Sequence, residues 1–232
     1  SDGAMTTDID RDQWRGLPAA AVSDAMERLG AMDAGISLLA GEPLVGPAYT
    51  VQTAAGDNAT IHRALESAPA GGVLVIDAGG HLGRAVWGAV LTAAARQLGL
   101  LGVVVDGAVR DITAIRESGF VVYGRGVCPA GPHKGFQGRI GGTVQCGGVP
   151  VTGGDLVVGD ADGVVVVPQG RTGEVLAATR AQLKTEEEWL RRIGRGEPSA
   201  RLLGVTTQGE SRRPRRQGSA VARGGAPSRE AT

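Results

Sequence analysis

The chain has 232 residues, 42% of them hydrophobic, which is enough to fill the core of one sizeable domain. Its 24 Lys and Arg balance 24 Asp and Glu, so no net field recruits nucleic acid and a partner has to be recognised at a site. Two cysteines, Cys128 and Cys146, exclude a disulfide framework and suit a reducing cytoplasm, and no apolar run approaches the roughly 20 residues that span a bilayer. The polar N-terminal stretch carries no signal-peptide core, so a soluble cytoplasmic protein is expected.

Glycine is abundant at 39 residues, against three Trp, two Tyr and two Phe, so the core is built from Val, Leu, Ile and Ala with many tight turns. Residues 1–7 are expected to be a flexible N-terminus, with one α/β domain over 8–194. A helix is predicted over 19–29, ended by Gly30, and the Gly46-Pro47 corner opens a strand through Thr53. Apolar residues at helical spacing predict a helix over 58–68 that stops before Pro69. The glycine-bounded run 73–77 reads as a buried strand, followed by a glycine-rich loop at 79–83. An Ala- and Leu-rich helix over 85–98 leads to a second buried strand at 102–106, a crossover unit that implies parallel neighbours. A short helix at 111–118, closed by Gly119, precedes a third strand at 120–123.

After Gly138 the texture changes to short strands around 147–151, 154–160 and 162–168, which should close a mixed, barrel-like sheet. Residues 171–192 read as a long amphipathic helix with an acidic cluster at Glu186, Glu187 and Glu188. Residues 195–232, rich in Arg, Gly, Ser and Pro, read as a disordered basic tail, because they bury too little apolar surface to offset ordering entropy.

The chemistry is sought where the second buried strand gives way to a helix, at Asp106-Gly107-Ala108-Val109-Arg110-Asp111. Gly107 is expected to turn the backbone sharply there. Arg110 offers a planar fork of donors for a carboxylate, and Asp111 is a hard oxygen ligand suited to magnesium or manganese. A capping Asp and a surface Arg in a salt bridge would give the same spacing. Backbone N–H groups of Gly88, Ala89, Val90 and Leu91 are candidates for holding a carboxylate if a helix starts near them. His81 is a weaker acid–base candidate, and His62 and His133 weaker still.

Several motifs in order resemble the RraA-like family. They are Gly46-Pro47-Ala48-Tyr49-Thr50-Val51, Asp57-Asn58, Val73-Leu74-Val75-Ile76-Asp77, Gly88-Ala89-Val90-Leu91, the 102–111 segment and 154–164. That family includes 4-hydroxy-4-methyl-2-oxoglutarate / 4-carboxy-4-hydroxy-2-oxoadipate aldolases and regulators of ribonuclease E activity, and the resemblance runs over about 17–190. It implies a swivelling β/β/α sandwich, a homotrimer or hexamer, and an active site between subunits. It also implies a divalent metal, Mg or Mn, on Asp111, with Arg110 and the 88–91 backbone on the pyruvyl part of a 2-keto acid. Metal-assisted cleavage or decarboxylation would then pass through a pyruvate enolate. The family's aldolases carry an acidic residue where this chain has Ala89, and a methyl group cannot orient a water or move a proton. Its absence would remove an acid–base contribution of roughly 10²–10⁴-fold. A non-catalytic regulator of a ribonuclease, or a diverged enzyme of a specialised pathway, is therefore a second expectation.

Overall fold

The computed structural model describes residues 9–205, which divide into two compact units between Thr185 and Glu186. The first unit begins with α1 (Ala19–Ala25), β1 (Ser37–Ala40), β2 (Leu44–Gln52), α2 (Ala59–Leu65), β3 (Val73–Trp87), α3 (Ala89–Gln97) and β4 (Gly102–Val109). It continues with α4 (Ile112–Ser118), β5 (Val121–Val127), β6 (Arg139–Ile140), β7 (Thr143–Cys146), β8 (Val149–Thr152), β9 (Leu156–Asp160) and β10 (Gly163–Val167). Helix α5 (Thr172–Gly194) crosses the division, and α6 (Ser199–Leu202) lies in the second unit. The expected flexible residues 1–7 and the basic run at 212–216 lie outside the described residues. Of the stretch read as a tail, residues 195–205 are described and carry α6, next to a bidentate Arg192–Glu197 pair at 2.6 and 2.7 Å.

Strands β2, β3, β4 and β5 run parallel, and the full sheet order is β1-β5-β4-β3-β2-β9-β10, with β6 also on β2. Strands β1, β9 and β10 are antiparallel to their neighbours. The chain around 30–32 bridges to β10, through Met32 N–H to the Val164 carbonyl at 2.9 Å, so the sheet curls into a nearly closed barrel. A β7–β8 hairpin turning at Gly147-Gly148 packs beside it.

Both faces of the central strands are buried, which is why they read as unbroken apolar runs. Along β3, Leu74 and Ile76 face α2 and α3, packing with Ile61, Leu65, Leu91 and Ala95. Val73 and Val75 alternate to the barrel interior, with Val104, Tyr123, Val144 and Val166. A third cluster seats Trp14, Val22 of α1 and Val175 of α5 against Leu156, Val158, Val165 and Val167. Among the described residues no helix is long and apolar enough to cross a membrane.

Four local expectations are corrected. Helix α1 stops at Ala25 rather than Leu29, because Glu27 and Arg28 take left-handed φ of 59° and 66°. The segment 79–83 is no terminal loop but an arch inside β3: Gly79 and Gly80, at φ 65° and 68°, let the strand leave and rejoin β4. Strand β3 continues to Trp87, so α3 begins at Ala89 and not at Ala85. Gly107 makes no turn; it lies inside β4, where an added Cβ would stand 3.0 Å from the Ala78 methyl, and the chain turns only at Arg110 and Asp111.

Candidate active site

Strands β3 and β4 end side by side, and each hands over directly to a helix: β3 through Gly88 to α3, β4 through Arg110 and Asp111 to α4. The Arg110 N–H donates to the Trp87 carbonyl at 2.9 Å, which locks the two junctions together. Asp111 occupies the cap position of α4 at φ 58°, a left-handed conformation that Asp tolerates better than most residues. From there its Oδ2 accepts the N–H of Ala89, the first residue of α3, at 3.1 Å. A helix leaves its first N–H groups without intrahelical partners, so a carboxylate at this end is favoured by both hydrogen bonding and dipole. Arg110 Nε stands 3.5 Å from the same oxygen, and the two side chains are 39% and 41% exposed.

Gly88 is what allows this approach. Its backbone is extended at φ −168°, but a Cβ would fall 2.8 Å from Asp111 Oδ2 and 2.9 Å from Arg110 Cγ. Beside the junction lies a cavity of about 240 Å³ lined by Asn58, His62, Gly88, Leu91, Arg110 and Lys134, with Val90 also in its wall. That is smaller than the roughly 300–1,000 Å³ of pockets for larger ligands and suits a small acid. Of the residues singled out in the sequence, Gly88, Val90, Leu91 and Arg110 line the cavity. Ala89 and Asp111 stand beside it, tied by their hydrogen bond. His81 does not line it.

Sequence reasoning missed the opposite contributors. Buried Asp57 accepts N–H groups from Ala59 at 2.8 Å, Gly135 at 2.7 Å and Phe136 at 3.1 Å, clamping the 133–136 loop onto the start of α2. That clamp carries Lys134 to the cavity, where its Nζ reaches Asn58 Oδ1 at 3.4 Å, while Asn58 Nδ2 donates to the Val86 carbonyl at 3.2 Å. Burial pushes the Asp57 carboxyl up, but the three N–H groups and nearby His133 outweigh it and hold the group below the usual carboxylate range. His62 is lowered from the usual imidazole value, chiefly by burial and then by the Lys134 charge. Asp57-Asn58 within a family motif, and His62 as a weak acid–base candidate, were the hints of this wall in the sequence.

Among the described residues no three His, Cys, Asp or Glu side chains stand close enough to cage a metal. One half-exposed hard-oxygen donor does fit magnesium or manganese, which keep several waters and take one or two carboxylates together with substrate oxygens. Asp111 is that donor.

Residues 19–166 match the family model RraA-like, described as Aldolase/RraA. The chain belongs to the RraA-like family. A relative from Halalkalibacterium halodurans, provisionally named 4-hydroxy-4-methyl-2-oxoglutarate aldolase, is 42% identical over 176 residues, 75% of this chain and 84% of that one. A structure of an uncharacterised protein from Pseudomonas syringae is 29% identical with a TM-score of 0.74, covering 84% of this chain and 93% of its own. The RNA-processing inhibitor RraA from Thermus thermophilus is 30% identical with a TM-score of 0.60, over 66% of this chain and 93% of its own. The RraA-like chain thus has the fold its motifs implied, the swivelling α/β architecture with a barrel-like sheet.

Proposed function

We propose that this protein is a metal-dependent lyase that cleaves or decarboxylates a small 2-keto dicarboxylic acid through a pyruvate enolate. The observation that carries the reading is the pairing at the β4–α4 junction. Arg110 lines a cavity that Lys134 also lines, and Asp111 is oriented beside it by the Ala89 amide. Arg110 grips the carboxylate next to the keto group in a two-pronged contact, and Lys134 balances the second carboxylate. The first turn of α3 adds N–H donors without intrahelical partners near the same carboxylate, and Val90 and Leu91 give the wall an apolar side. A divalent ion, Mg or Mn, on Asp111 would supply Lewis acidity toward the 2-keto oxygen. The aldolase name of the Halalkalibacterium relative supports the reaction class. A homotrimer or hexamer belongs to the same proposal, with a neighbouring subunit covering exposed Val90, Leu82, Val127 and Phe136.

The test is pyruvate release from oxaloacetate and from 4-hydroxy-4-methyl-2-oxoglutarate, with magnesium and with chelator. Activity is expected only with metal, and Asp111→Ala is expected to abolish it; full activity in that variant refutes the site. A second reading is favoured by Ala89 and by the likeness to the Thermus RNA-processing inhibitor: a regulator that binds a ribonuclease without chemistry. Absent catalysis together with ribonuclease capture would establish it.

A further inference from the structure

The reading above leaves one proton unassigned. Cleaving a 4-hydroxy-2-keto acid requires removal of the proton on the 4-hydroxyl as the C3–C4 bond breaks. A proton must then be delivered to C3 of the resulting enolate. The position where the family's aldolases carry an acid holds Ala89, whose methyl does neither. Among the cavity-lining residues, Arg110 and Lys134 are donors with no acceptor and Asn58 is an amide, so none of them is suited to act as a base.

We infer that His62 is the acid–base catalytic residue of this chain, taking the 4-hydroxyl proton as the carbon–carbon bond breaks and returning it to C3. The step balances: one proton leaves oxygen, passes through one imidazole and ends on carbon, giving pyruvate and a carbonyl product. His62 sits in α2, whose start is fixed by Asp57 and by the Asn58 bond to Val86, and it opens on the same cavity as Arg110. Its ring makes no hydrogen bond among the described residues, so both nitrogens are available to a ligand. The charged groups that share its cavity are Lys134 and Arg110, both positive, and burial together with the Lys134 charge favours the neutral imidazole that a base must be. The other two histidines are placed differently: His133 packs edge-on against Phe136, and His81 lies in the β3 arch.

This inference rests on the proposed lyase activity, and its test separates the two. Oxaloacetate decarboxylation needs enolate stabilisation but no hydroxyl deprotonation, so it serves as the internal reference. In His62→Asn and His62→Gln, both of which keep a polar side chain, the ratio of aldol cleavage to decarboxylation should fall by roughly 10²–10⁴-fold. The rise of kcat/KM with pH through a value below that of free histidine, about 6.5, should vanish with it. By NMR, the ring resonances of His62 should shift when pyruvate is added, and those of His81 and His133 should not. An unchanged ratio in folded variants, a retained pH limb, or a His62 resonance blind to pyruvate overturns the assignment and leaves the lyase reading standing. Absence of both reactions in the unmodified protein overturns that reading and this inference together.

Discussion

Two Arg–Asp pairs belong to the parallel strands, one within β4 and β5 and one just past the end of β4, and they differ in everything except their chemistry. Asp106 and Arg125, on β4 and β5, are 10% and 22% exposed, and each has a further partner within the protein. Asp106 accepts from Arg125 Nε and from the Gly147 N–H at 2.7 Å, and Arg125 reaches on to Asp33 at 3.0 Å. Arg110 and Asp111 are about 40% exposed, stand 3.5 Å apart and share one further bond, to Ala89. A charged pair that is mostly buried and bonded to further groups of the protein holds strands together. A pair with capacity to spare on a cavity wall has something left for a ligand.

The largest effect expected from this contrast is on stability. Asp106→Ala would take the acceptor from Arg125 Nε and from the Gly147 N–H and leave Arg125 paired with Asp33 alone, which costs about 1–3 kcal/mol for the donors left unmet. Urea unfolding should show the loss directly. Arg110→Ala, by contrast, should change stability by less than about 0.5 kcal/mol, as exposed substitutions do. It should instead weaken binding of a 2-keto acid by about 10- to 150-fold, the worth of one charge-assisted contact of about 1.5–3 kcal/mol. Similar unfolding free energies for the two variants would erase the distinction between the pairs.

Gly88→Ala sharpens it further. The extended backbone there accepts any residue, so no conformational strain is introduced. The new methyl would nonetheless push against Asp111 Oδ2 and Arg110 Cγ, both within 3 Å. Activity should drop by at least about tenfold, a shift of about 1.4 kcal/mol in the barrier, with the melting transition nearly unmoved. A variant that loses stability and keeps activity would show that Gly88 serves packing.

The sequence disclosed the parts of the molecule whose cause is local. Runs such as Val103-Val104-Val105 are continuous because each strand is buried on both faces, and that pattern is visible without coordinates. The Arg110-Asp111 junction was legible because a strand, a turn and a helix follow one another along the chain. Elements created by distant pairing were not. Strand β1 is four residues at the edge of β5, with a break in register between Leu38 and Ala40, and carries no alternation to announce it. The β3 arch looked like a loop because glycines at positive φ mark loops and arches alike. Lys134 reaches the cavity that Arg110 and His62 line because Asp57 clamps a loop from 78 residues away, and no local motif reports such a pairing.

Asp57 itself provides the smallest and most discriminating expectation, because it is a buried carboxylate bonded within the protein, like Asp106, and yet serves the open site. Its carboxyl is held below the usual range despite burial, since three N–H groups favour the charged form. A depressed folded value means that the carboxylate contributes stability above the unfolded value of about 3.9 and loses it as pH falls through the lower folded value. Asp57→Asn keeps an oxygen acceptor but has no charge to titrate, so it should be less stable than the unmodified protein near neutrality. The gap should narrow as the pH is lowered below about 4. Unfolding by urea across that range measures it. A gap that stays constant with pH would mean that the loop carrying Lys134 is not held by the charge of Asp57, and that the role of a buried, internally bonded carboxylate does not extend from the strands to the cavity.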